Sequence, residues 1–178
     1  MSQDGTHLAV AAFTDSFKLY AAKSGLQILE RQTTAAEWAQ ALQLAPYVPV
    51  AYTSAMLDYQ HAYFAGQGGT WQDCSMILLN DSKPCAVWPL SLSEDGNAVR
   101  LSSAGAAVLS PLFLNHVAPK TIKSVTTRCH ALLAALAAEF SLPGYTGQEP
   151  YLASTGLSEW YLQAVRHGAR GTVGHERY

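Results

Sequence analysis

Charged side chains are scarce in this sequence of 178 residues. Lys, Arg, Asp and Glu make up 13% of it, against roughly 25% in an average soluble protein. The net charge is −2, so the composition gives no electrostatic basis for binding nucleic acid, which needs a basic face. A surface so poor in charge is either covered by a partner or built from small and uncharged polar side chains. Both alternatives stay open at this point.

Cysteine and long hydrophobic runs are also rare. The three cysteines, Cys74, Cys85 and Cys129, are widely spaced and form no C-x-x-C pair. This spacing argues against a disulfide framework or a structural zinc site and favours a reducing compartment. No apolar run approaches the roughly 20 residues of a membrane helix, and the first residues lack the basic segment of a signal peptide. We therefore expect a cytoplasmic protein without a membrane segment.

Several catalytic motifs are missing from the sequence. No two of the six histidines lie four residues apart, and no H-E-x-x-H sequence occurs, so we predict no metal site. No G-x-S-x-G sequence occurs either, which removes the usual sign of a hydrolase triad. The catalytic residues of any enzyme activity therefore remain unknown from the sequence.

What the sequence does contain is a central group of strand-like segments. Apolar runs that are bounded by Asp, Asn, Gly and Pro indicate strands joined by hairpin turns. In the second turn, Glu94–Asn97, Gly96 supplies the positive φ that tight hairpins favour. We predict an antiparallel meander whose strands cover residues 71–80, 85–93 and 98–103.

Helical spacing of apolar residues predicts helices on both sides of this meander. Thr34 and Glu37 form a capping-box pattern before the first helix, and Thr155 is the predicted cap of the last. A first strand at residues 26–30 and a final strand at residues 171–178 complete the order. The helices are predicted at residues 34–45, 52–64, 119–140 and 157–167.

This order predicts an α+β fold with a largely antiparallel central sheet that helices flank on both faces. Residues 1–25 form a poorly defined N-terminal segment, and residues 26–178 form a single domain.

From Leu26 onward the element order resembles the GNAT superfamily of N-acyltransferases. The segments 73–79 and 83–90 look like the FemAB-like branch, whose members carry two tandem GNAT-like halves. The chain is similar to the first half. The resemblance implies a GNAT-like sheet and a role in transferring acyl or aminoacyl groups to amines of peptides or sugars of the bacterial cell envelope.

The resemblance also bears on cofactors. GNAT enzymes hold the donor's pyrophosphate with a Gln/Arg-x-x-Gly-x-Gly/Ala turn directly before a helix. The nearest match is Ser102–Ala107, where Gly105 and Ala107 fit but Ser102 replaces Gln or Arg. The predicted helix also begins more than ten residues later. The implied role is an acceptor-recognising half that binds no donor itself, whereas the complete enzyme would use acyl-coenzyme A or aminoacyl-tRNA. Such a half would act with a second GNAT-like half or as a homo-oligomer.

Two candidate sites follow from the residues. Lys120 and Lys123 lie in the first turn of the predicted helix 119–140, where the helix dipole disfavours cations unless an anion is bound. They are either an anion site or, as we favour, two solvated lysines. The second candidate is a cleft for a sugar or peptide acceptor, lined by Tyr52, Trp71, Asp73 and Trp88.

In the alternative for this second group, which we favour, Trp88 packs in the core of the sheet and Trp71 fills the space at the start of its strand. We likewise expect the stripe of Tyr52, Met56, Tyr59 and Tyr63 to face the core. The rival to the transferase hypothesis is a non-catalytic binding or assembly module that pairs with a partner chain through an open sheet edge.

Overall fold

The computed structural model describes residues 17–67, 70–95, 98–103, 105, 107–139, 147–148 and 158–170. Residues 17–23 are helical (α1). The other helices are α2 (Ala35–Gln43), a 3₁₀ turn at Val50–Tyr52, α3 (Ser54–Gly66), α4 (Pro119–Glu139) and α5 (Glu159–Arg166). The strands are β1 (Gln27–Glu30), β2 (Thr70–Asp73), β3 (Met76–Asn80), β4 (Lys83–Trp88), β5 (Ser91–Asp95), β6 (Ala98–Ser102), β7 (Val108–Leu109), β8 (Leu112–Phe113) and β9 (Gly147–Gln148). The predicted α+β class is confirmed. No helix among these residues has the length and apolar character needed to cross a membrane.

One long hairpin bends in the middle and contributes to two sheets. Its outer part pairs β3 with β4, and its inner part pairs β2 with β5, both antiparallel. Met76 faces Trp88, and Asp73, three residues earlier, faces Ser91, three residues later. The pairing therefore keeps one register across the bend. The sheets have the strand orders β1-β3-β4-β8 and β2-β5-β6.

Proline explains where the hairpin bends. Pro89 lies between β4 and β5 and has no N–H to donate to a ladder. Opposite it, the amide of Cys74 donates to the carbonyl of Leu90 at 2.9 Å, and the amide of Leu90 donates to Ser75 Oγ at 3.3 Å. The predicted meander is thus confirmed in its pairing, but the strands 71–80 and 85–93 each divide at this bend.

A two-residue turn closes the outer end of the hairpin. Asp81 and Ser82 have φ angles of 51° and 62°, the left-handed conformation that matches the twist of paired strands. Because the turn needs only these two residues, β4 begins at Lys83. The sequence had predicted a start at Cys85.

Helices cover both faces of the β1-β3-β4-β8 sheet, because alternate residues of a strand point to opposite sides. On one face Ile77 and Val87 pack with Trp38 of α2 and Leu57 of α3. The other face packs against α4, whose buried residues are Val125, Thr126, Cys129, His130, Leu132, Leu133 and Leu136. The apolar members of this set recur at the helical spacing from which this helix was predicted, and the expectation of helices on both faces is confirmed.

Three helix starts differ in detail from the prediction. Thr34 is the N-cap of α2, but its hydroxyl donates to the carbonyl of Glu30 at 2.7 Å, so the capping box is wrong. α3 begins after Thr53, whose Oγ accepts from the amide of Met56, which leaves Tyr52 in the preceding turn. α5 is capped by Ser158 and not by Thr155.

Some predictions concern residues outside the described part of the chain. These are residues 1–16 of the predicted N-terminal segment 1–25, Gly96 of the second turn, residue 155 and the strand 171–178. Between α4 and α5 the structure describes the short strand β9, which pairs in parallel with β7.

Candidate functional site

A cleft of about 230 Å³ lies beside the bend of the long hairpin. One wall comes from α1 and β1 and the other from the segment that joins β2 to β3. Its apolar lining consists of Phe17, Ile28 and Met76. Its polar lining consists of Lys18, Glu30, Gln32, Gln72, Asp73, Cys74 and Ser75. The cleft thus combines an apolar part with carboxylates and amides.

A buried arginine holds one wall of the cleft in place. The Nε and Nη2 atoms of Arg31 donate to Asp73 Oδ2 at 2.8 and 2.7 Å, and Nη2 also donates to Asp58 Oδ1 at 2.7 Å. The other carboxylate oxygen of Asp73 accepts from the amide of Ser75. Burial of the guanidinium lowers the pKa of Arg31, but its bonds to Asp58 and Asp73 outweigh burial, and the pKa is raised. Asp73 is therefore fixed at the bend by three donor contacts, two from Arg31 and one from the amide of Ser75.

A second ion pair lies at the mouth of the cleft. Lys18 Nζ is 2.9 Å from Glu30 Oε1, and the two side chains are 51% and 39% exposed. An ion pair as accessible as this one is weak and exchanges readily with solvent ions. Glu30 is therefore a carboxylate that an ammonium group already contacts and that a ligand can reach.

The cleft contains a thiol, but not a reactive one. Burial raises the pKa of Cys74 to about 12, with further contributions from the nearby charges of Asp73 and Glu30. The thiolate is the nucleophilic form of cysteine, so Cys74 remains a neutral thiol at physiological pH. The hydroxyl of Ser75 donates a hydrogen bond to the carbonyl of Leu90. The arrangement favours reversible binding of a polar or cationic group over covalent catalysis.

The structure does not bring the four predicted acceptor residues together. Asp73 lines the cleft, but Tyr52 and Trp88 are 1% and 0% exposed and belong to the core on opposite faces of the sheet. Tyr52 donates its hydroxyl to the carbonyl of Ser110 at 2.6 Å, and Trp88 Nε1 donates to the carbonyl of Leu109 at 2.8 Å. The prediction that they line an acceptor cleft is wrong, and the core alternative for Trp88 is confirmed.

Trp71 has a packing role. Its ring stacks on Phe64 with centroids 4.4 Å apart and planes 10° apart. Gly105, with a φ of 78°, lies so close to Phe64 that a Cβ at this position would overlap the ring. The glycine of the segment 102–107 thus serves this contact, and α4 begins only at Pro119.

Lys120 and Lys123 are exposed in the first turn of α4. Neither has an ion-pair partner within the described part of the chain. This placement agrees with the solvated alternative, and the anion site stays a prediction.

The tyrosine stripe of α3 does not face the core. Tyr59 and Tyr63 are 61% and 49% exposed, and Leu57 is the residue of this helix that is buried. The prediction was wrong for Tyr59 and Tyr63, whereas Tyr52 is buried as expected. Apolar residues occur on more than one side of α3, and Leu57 occupies the side that packs on the core. Helical periodicity alone then does not indicate which face is covered.

Arg31 and Glu30 were missed by reasoning from the sequence. The two partners of Arg31 are 27 and 42 residues away along the chain, so no local pattern marks the network. The one available sign was a charged pair, Glu30-Arg31, directly after an apolar strand in a sequence poor in charge.

No group of His, Cys, Asp and Glu within the described ranges is arranged to hold a metal ion. Comparisons of the chain with protein-family models, curated proteins and solved structures find no match.

Proposed function

We propose that this chain is the acceptor-recognising half of a FemAB-like N-acyl or aminoacyl transferase, and that the cleft beside Glu30 receives the amino group of the acceptor. The contact between Lys18 Nζ and Glu30 carries the proposal. An acceptor ammonium would take the place of the Lys18 ammonium. The existing contact supports this, because Glu30 already accommodates an ammonium group at 2.9 Å. The amides of Gln32 and Gln72 supply donors and acceptors for hydroxyl or peptide groups of the same ligand.

The chemistry of the cleft supports recognition rather than a complete reaction. Direct attack of an amine on a thioester or an aminoacyl ester requires no enzyme nucleophile, and the neutral thiol of Cys74 is compatible with this. The reaction does need a base for the amine proton and donors for the oxyanion. In this proposal the second half supplies both, together with the donor site.

Titration of the full chain with matched ligands tests the proposal. We expect glucosamine or a lysine-containing peptide to bind, and N-acetylglucosamine, which lacks the free amine, to bind much more weakly. Glu30→Gln removes the carboxylate charge and is expected to abolish binding of the amine. Glu37→Gln, which removes an exposed carboxylate on α2, is the matched control and is expected to bind as the wild type does.

Two results would contradict the proposal. Equal affinity for the amine and its acetylated form would remove the role of Glu30. Tight binding of coenzyme A by the chain alone would indicate a donor site of its own, and hence a self-sufficient enzyme.

The alternative, a non-catalytic assembly module, is favoured by one observation. β2 and β6 lie at the edges of their three-stranded sheet, and an edge strand leaves backbone groups available to a partner strand. Under this alternative no amine binds, and the β2 amides become protected from hydrogen exchange when a partner chain is added.

A further inference from the structure

The outward face of α3 is almost free of charge. Its exposed residues are mainly Ala55, Tyr59, Ala62, Tyr63 and Gly66. The one charged residue beside them is Asp58, whose Oδ1 is bound to Arg31. A helix on the surface of a soluble protein normally presents polar and charged side chains to water. This face therefore has the character of a helix that packs against another helix.

The spacing of these residues is that of a helix–helix seam. Ala55, Tyr59, Ala62 and Gly66 follow one another at intervals of four, three and four residues, the pattern that keeps one stripe of a helix against a partner helix. The stripe therefore consists of one large ring, that of Tyr59, and three small residues. A Cβ added at Gly66 would meet no atom within 4 Å, so the described surroundings within one chain do not require glycine there.

We propose that α3 forms the interface between two copies of this chain. In an antiparallel pair whose twofold axis passes between Gln60 and His61, Tyr59 faces Ala62 of the second copy. Ala55 likewise faces Gly66. A symmetric interface must be complementary to itself, and this register places each ring against a small residue on both sides of the axis.

The flanks of the seam fit the same register. Symmetry places Tyr63 beside Met56 of the second copy and Asp58 beside Ala65, so the two Asp58 carboxylates do not oppose each other. With roughly 200 Å² for a tyrosine side chain, the exposed 61% and 49% of Tyr59 and Tyr63 contribute only about 200 Å² per copy. Stable interfaces bury about 800 Å² per partner. The dimer is therefore expected to be weak and reversible.

Analytical ultracentrifugation of the full chain tests this assignment over a wide concentration range. We expect the weight-average mass to rise from that of a monomer toward that of a dimer between micromolar and millimolar concentrations. Ala62→Glu places a charge at the centre of the seam and is expected to keep the chain monomeric throughout. Ala131→Glu, the same change at an exposed alanine of α4, is expected to associate as the wild type does.

A residue swap tests the register itself. Tyr59→Ala removes the ring and is expected to weaken association, whereas the double change Tyr59→Ala with Ala62→Tyr restores a ring opposite a small residue and is expected to recover it. A wild type that stays monomeric at millimolar concentration would overturn the proposal. So would association that survives Ala62→Glu, loss of association in Ala131→Glu, or a swap that does not recover the dimer. Circular dichroism of each variant verifies that α3 is intact.

Discussion

Replacing Arg31 by Met would leave a carboxylate buried without its counterion. The change keeps a side chain of similar length along the aliphatic part of Arg31 but removes the guanidinium that contacts both Asp58 and Asp73. The side chains of Arg31 and Asp73 are 8% and 7% exposed, whereas that of Asp58 is 66% exposed. The consequence therefore depends mainly on Asp73.

The two carboxylates contribute very differently to the expected loss. Breaking a buried ion pair by removing one partner typically costs about 3–5 kcal/mol, because the other charge stays desolvated. An exposed pair such as that with Asp58 contributes at most about 1 kcal/mol. We therefore expect Arg31→Met to lower the free energy of unfolding by about 3–5 kcal/mol. Asp58→Asn should lower it by less than about 1 kcal/mol.

Urea unfolding followed by tryptophan fluorescence measures both changes. With a denaturant slope of about 2 kcal/mol per molar urea, the midpoint of Arg31→Met should fall by about 2 M. The double change Arg31→Met with Asp73→Leu removes both buried charges and should recover most of the loss. A loss below about 1 kcal/mol in the single variant would refute the reasoning, because it would mean that Asp73 reaches water once the guanidinium is gone.

Four further changes follow from the structure. Thr126→Val should raise the unfolding free energy by about 1 kcal/mol, measurable as a higher melting temperature, because the buried Thr126 hydroxyl has no partner within the described residues. Gly105→Ala should lower it by about 2 kcal/mol or more in urea unfolding, since a residue at positive φ is strained and the new Cβ would overlap Phe64. Ser82→Gly should raise it by about 1 kcal/mol in the same assay by relieving a positive φ in the hairpin turn. The pKa of Cys74 is raised from its ordinary value of about 9 to about 12. Between about pH 9 and pH 12 the unfolded chain therefore binds fewer protons than the folded one, and stability should fall as the pH rises. Cys74→Ala should show a smaller fall over the same pH range, and an equal fall would contradict the assignment.

Local chemistry in the sequence was sufficient to predict most of the elements. The apolar stripe of α4 depends on neighbours a few positions apart, and this prediction was confirmed. The antiparallel pairing of the meander was also confirmed, although its first turn is shorter than predicted and Gly96 of its second turn lies outside the described residues. The bend was not predicted, because Pro89 was assigned to the interior of a strand. Its effect depends on the partner segment at Cys74 and Ser75, which the sequence does not place opposite it.

The candidate site was harder to predict for the same reason. Aromatic residues were assigned to a binding cleft by chemical type, although Tyr52 and Trp88 have hydrogen-bond partners inside the core. Arg31 and Glu30 lie together with Asp73 only because the strand β1 pairs with β3. Long-range pairing of this kind is set by the fold and not by neighbours in sequence.

The register that the hairpin keeps across its bend has a consequence for how the protein unfolds locally. Both arms of the hairpin contribute a strand to each of the two sheets. Neither sheet can therefore separate without displacing strands of the other. Amide exchange in β3 and in β5 should therefore slow to a common rate, as one cooperative unit. An extra residue inserted at the bend would shift the pairing register, so that the side chains of β2 point to the opposite face relative to β5. Asp73 would then no longer form its wall of the cleft.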